Sequence, residues 1–142
     1  MKTKITALLV CVLPALLFAQ TALPPKKMPA VKKEIMSSID ARYADYRAAA
    51  LRIWEYAEVG YKEYKSTVLL QDILKKAGFS VEAGVAEIPT AFVATYGSGK
   101  PVIGILAEFD ALPGLSQQAV PEKKPQPSLS AGHACGHHLF GV

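Results

Sequence analysis

Apolar residues recur along this chain with two different periods, and the change of period marks where helix gives way to strand. Val31, Ile35, Ile39, Tyr43, Ala50 and Trp54 are spaced by four or seven, the repeat of one buried helix face. Lys33, Asp40, Arg47 and Arg52 fall between them. The pattern predicts a helix over 31–56, broken by Gly60, with Trp54 in the core. A second helix is predicted over 64–77, with Val68, Leu69, Ile73 and Leu74 inward. Gly78 follows Lys75 and Lys76, as a left-handed C-terminal cap would after residues that suit the helix dipole.

Strand signals come next. The stretch 79–82 is short, 91–96 is rich in β-branched and aromatic residues, and 97–100 is a turn segment. A further strand is predicted over 102–109. A connection this short predicts an antiparallel hairpin between 91–96 and 102–109. Val102 to Ala107 is apolar on both faces, which suits a strand buried between helical layers. The segment 117–130 is a polar loop carrying Pro121, Pro125 and Pro127. Helices mixed with strands predict an α/β fold, without internal repeats.

The N-terminal end has a different character. Lys2 and Lys4 precede an apolar run from Ile5 to Ala19 that is too short to span a bilayer. This is the pattern of a cleavable signal peptide, residues 1–19, with cleavage after Ala19 and Ala22 as the alternative. An uncut segment would be the only membrane attachment. Export to the periplasm or the medium is expected. Residues 20–30 read as a linker containing Pro24, Pro25 and Pro29. The formal charge of +4 owes much to Lys2, Lys4, Lys26, Lys27, Lys32 and Lys33, in or beside these two segments. What remains is near neutral, so no nucleic-acid partner is expected. Of the two cysteines, Cys11 lies in the signal peptide. Cys135 therefore reads as a reactive thiol, a metal ligand or an intermolecular bridge.

Candidate chemistry gathers near the C-terminal end. All three histidines, His133, His137 and His138, surround Cys135. Thiolate and imidazole are the usual protein ligands of zinc and related ions. Cys135 and His137 lie on one turn, and Gly132 and Gly136 permit a tight backbone there. Glu108 and Asp110, two apart at the end of a predicted strand, face the same side and can ligate or orient a ligand. A cysteine–histidine nucleophile is the competing chemistry, and an incidental histidine loop is the plainest alternative.

The run from Ala107 to Gln117 (AEFDALPGLSQ), followed by Gly132 to Leu139 (GHACGHHL), resembles the M20 family of metallo-amidohydrolases and peptidases. Within it, the likeness is to the aminobenzoyl-glutamate utilization branch. The resemblance extends through Ile53–Glu55, Ala77–Phe79 and Ile88–Phe92 and covers 31–142. It implies the N-terminal part of a three-layer α/β/α di-metal hydrolase domain with a mixed sheet. It also implies two divalent ions, zinc or manganese, that activate water for hydrolysis of the amide bond of an N-acyl or N-aroyl amino acid. Cys135 matches the family's bridging ligand and His137 a ligand of one ion. Asp110 matches a residue that supports a ligand. Glu108 stands where other branches carry a histidine ligand, and His138 stands where relatives carry Asp or Asn. The roles of Glu108, His133 and His138 stay open. The general base, the remaining ligands and any dimerisation domain are expected beyond Val142, as is oligomerisation of a full-length protein. The alternative is a non-catalytic exported remnant that binds a metal or a partner.

Overall fold

The computed structural model describes residues 27–142. The expected signal peptide, both cleavage positions and most of the linker lie outside the described residues. The chain divides into two units, Met1–Ser37 and Ser38–Val142. Described residues of the first unit all belong to helix α1, Lys27–Tyr56. In the second unit follow α2 (Tyr64–Lys76), β1 (Ser80–Ala83), a 3-10 turn (Val85–Glu87) and β2 (Phe92–Thr95). After them come β3 (Leu112–Pro113), β4 (Ala131–Gly132) and α3 (His137–Phe140). The chain thus mixes helices with small antiparallel sheets, an α/β composition.

Helix α1 starts ahead of the predicted Val31, so the last linker residues are helical. Pro29 is compatible with this because first-turn N–H groups have no intrahelical partner to lose. The buried face differs from the predicted stripe. Ala49, Ala50, Ile53 and Ala57 are buried, whereas Val31, Ile35, Ile39 and Tyr43 are exposed. Trp54 is half-buried, not a core residue.

Helix α2 matches its predicted span to within a residue, with Ala77 as C-cap and Gly78 at a φ of 91°. Its inward face is not the predicted one. Ser66, Thr67, Leu70 and Gln71 are buried, whereas Val68 and Ile73 are exposed. Hydrogen bonds make this polar face tolerable in the interior. The Thr67 hydroxyl donates to the Thr90 carbonyl at 2.8 Å, and Gln71 Nε2 donates to Thr67 Oγ1 at 3.0 Å. The Thr90 hydroxyl donates to Glu63 at 2.6 Å.

Strand pairing corrects the predicted hairpin. β2 pairs antiparallel with β1, Ser80 opposite Thr95 and Ala83 opposite Phe92. The stretch 102–109 forms no strand, and Val102, Ile103, Ile105 and Leu106 are between 81% and 91% exposed. A strand apolar on both faces needs a partner edge and cover on two sides, and no described residue supplies either. The second sheet, β3 with β4, sets Leu112 opposite Gly132. Beside it Ala57, Ala111 and Ala131 form a small core, with Val59 and Leu129 against it. Among the described residues no helix is long and apolar enough to cross a membrane.

Candidate metal centre

Two short segments, far apart in sequence, build the site. The first is 108–111. The Ala111 N–H donates to the Glu58 carbonyl at 2.7 Å, and Ala111 is buried. Phe109 stacks on Phe92 of β2 with ring centres 6.1 Å apart. These contacts fix the backbone that carries Glu108 and Asp110 on either side of Phe109.

The second segment is the loop leading into α3. The pairing of β3 with β4 draws it in, helped by the Gly114 N–H donating to the Ser130 carbonyl at 2.7 Å. Gly132 passes so close to the Leu115 carbonyl that a Cβ there would collide with it. Gly136, at a φ of 77°, turns the chain into α3 and starts the helix at His137. Gly141 closes the arrangement: a Cβ there would lie 2.6 Å from the Glu108 carbonyl oxygen. The C-terminal end of α3 thereby lies against the first segment.

His137 is the point of contact. Its Nδ1 lies 2.7 Å from Asp110 Oδ1, and its Nε2 lies 3.1 Å from Glu108 Oε2. One donor atom from each of Glu108, Asp110 and His137 falls within 4.8 Å of the others. This set fits a divalent cation. A carboxylate on Nδ1 fixes the ring tautomer and leaves the Nε2 lone pair free for a cation. Two ligand atoms about 2.1 Å from one ion sit roughly 3.0–3.4 Å apart, the separation seen between Nε2 and Glu108. Asp110 thus orients His137, and Glu108 faces its free nitrogen.

The other predicted residues are placed differently. Cys135 is exposed and free and lies outside this group. His133 reaches back to α1, where its Nε2 donates to the Ile53 carbonyl at 3.0 Å. The His133 and His138 rings lie 5.0 Å apart. Burial lowers the pKa of His133 below the ordinary histidine value. Burial, with repulsion from His133, does the same to His138.

Two features of the site were not read from the sequence. Glu58 anchors the first segment through its carbonyl, while its carboxylate accepts from Lys65 N–H, Ser66 N–H and the Ser66 hydroxyl at the start of α2. The Ile53 carbonyl serves His133 from 80 residues away. Neither partnership leaves a local spacing to detect.

No family model matches the chain. It is 41% identical over 116 residues to a p-aminobenzoyl-glutamate hydrolase subunit of Escherichia coli (strain K12), covering 81% of this chain and 24% of that protein. Thermostable carboxypeptidases 1 and 2 of Saccharolobus solfataricus are each 38% identical over 88 residues, covering 61% of this chain and 22% of theirs. These likenesses agree with the resemblance to the M20 family that the two motifs carry. The chain spans about a quarter of the length of these relatives. Both motifs that carry the M20 resemblance, 107–117 and 132–139, are drawn together in the fold, and their meeting point is the contact of His137 with Asp110 and Glu108.

Proposed function

We propose that this chain contributes one side of a metal centre in an exported amidohydrolase that cleaves the amide bond of N-acyl or N-aroyl amino acids. The observation that carries the reading is His137, held on one nitrogen by Asp110 and faced on the other by Glu108. The names of the relatives, a p-aminobenzoyl-glutamate hydrolase subunit and two carboxypeptidases, support a small N-acylated amino acid as substrate.

A divalent ion bound here supplies Lewis acidity toward an amide carbonyl. The residues of this chain do the positioning. Asp110 accepts the Nδ1 proton of His137, which keeps the Nε2 lone pair available. Glu108 adds negative charge where a cation is wanted. Cys135, on the turn set by Gly136, is proposed as a further ligand whose exposed thiol is accessible to an ion. A two-ion centre of zinc or manganese in a three-layer α/β/α domain, with 102–109 as a covered strand, belongs to the same proposal.

The test uses the protein that carries this chain, assayed on N-benzoyl and N-acetyl amino acids. Activity should vanish on chelation, return with zinc or manganese, and stay absent in His137→Ala. Bound metal should fall in His137→Ala and in Cys135→Ser by elemental analysis. Turnover that survives chelation sinks the proposal, and unchanged metal content in Cys135→Ser removes the thiol from it. Export is checked by the N-terminus of the secreted protein, expected at Gln20.

A further inference from the structure

Two buried side-chain nitrogens among the described residues have no hydrogen-bond partner, and both belong to one pair of histidines. They are His133 Nδ1 and His138 Nδ1. The two rings lie 5.0 Å apart, tilted by 52°. His133 is fixed in orientation, because a carbonyl can only accept: its Nε2 carries the proton and gives it to Ile53 at 3.0 Å. Its Nδ1 is therefore a lone pair with no donor facing it. A buried polar atom left in that condition costs about 1–3 kcal/mol, and such atoms call for a water or an ion.

The spacing of the rings admits an ion. With a metal–nitrogen bond of about 2.0–2.1 Å and each ring centre about 1.1 Å further out, two imidazoles on one tetrahedral ion have centres about 5 Å apart. An entry path exists too. His138 lines an open, mostly apolar groove of about 370 Å³ with Leu51, Trp54, Gln118, Val120 and Pro121. The group at His137 uses neither His133 nor His138.

We propose that His133 and His138 together hold a divalent cation of borderline softness, zinc being the probe of choice, at a position distinct from that between His137 and Glu108. The two imidazoles supply two ligands, and water reaching the groove completes the coordination. The inference rests on the metal-centre reading only in taking this loop to be one that binds ions.

The experiment is a zinc titration of the chelator-stripped protein that carries this chain, with ¹⁵N-labelled histidine, following each ring nitrogen by two-bond proton–nitrogen correlation. The expected result is that Nδ1 of His133 and Nδ1 of His138 shift together with one equivalent of zinc. His138→Asn should lose that equivalent while the His137 Nε2 response persists. Unmoved Nδ1 signals at saturating zinc overturn the proposal and leave a buried water as the occupant, as does full stoichiometry in His138→Asn. The ring-nitrogen readout needs no substitution, so a variant that fails to fold does not decide the matter. A silent His137 beside shifting His133 and His138 would strike the proposed function and leave this inference standing.

Discussion

Gly136 carries more of the site than its size suggests. It sits between Cys135 and His137 at a φ of 77°, a backbone conformation that costs an L-residue roughly 1–2 kcal/mol. Gly136→Ala should lower stability by about that amount in a urea melt and weaken zinc binding at His137, since the turn also aims that ring at Asp110. His133 and His138 give a second prediction at the same scale. Burial keeps their folded pKa values below the ordinary value of 6.5, so the unfolded chain takes up protons that the folded chain refuses. Stability is therefore complete above pH 6.5 and falls as pH drops through it toward the folded values. In metal-free buffer the urea midpoint should decline from pH 7.5 to 5.5, and less steeply in His133→Gln. An equal slope in the variant would place the titration elsewhere. The loop was legible at this scale because its residue types announce ligands. Asp110 was legible as a group that orients a ligand, but His137 as its partner was not, because a separation of 27 residues leaves no periodic trace.

At the scale of elements, Glu58 joins three pieces of chain. Its carboxylate lies at the N-terminus of α2, where three protein groups donate to it and the helix dipole favours its charge. Glu58→Ala should cost about 2 kcal/mol, the range for hydrogen bonds to a charged group. The backbone carbonyl that receives the Ala111 N–H is kept in this variant, so the His137 response to zinc should persist. The span of α2 was legible because apolar periodicity and the Lys75–Lys76–Gly78 ending are local signals. Its inward face was not, because Thr67 and Gln71 are buried through bonds to each other and to Thr90, and hydrophobic patterning does not register such partners. Strand pairing failed for a related reason. The β-rich segment 92–95 had two neighbours able to form a hairpin with it, 79–82 and 102–109. Turn length favoured the second, yet the ladder forms with the first.

At the scale of the whole molecule, the exposed apolar run Val102–Leu106 dominates behaviour in solution. It combines β-branched and aliphatic residues with no charge, the composition that favours edge-to-edge association. The 142-residue chain should self-associate at micromolar concentration in light scattering. Ile105→Lys should shift it toward monomer, because a charge on an open strand edge opposes pairing. A monodisperse wild-type chain would count against the exposure of this run. The apolar character of 102–107 was plain in the sequence, but its lack of cover was not, since burial depends on what packs against a strand.

The same run has a consequence for labelling by deuterium. Backbone amides 102–106 have no partner among the hydrogen bonds of the described residues. They should exchange nearly as fast as in a free peptide, while the amides of α2 are retarded. Five adjacent fast amides of known position form a built-in gauge. When a strand from any source docks there, uptake slows at alternate residues first, and that alternation reports which edge of the segment has been taken.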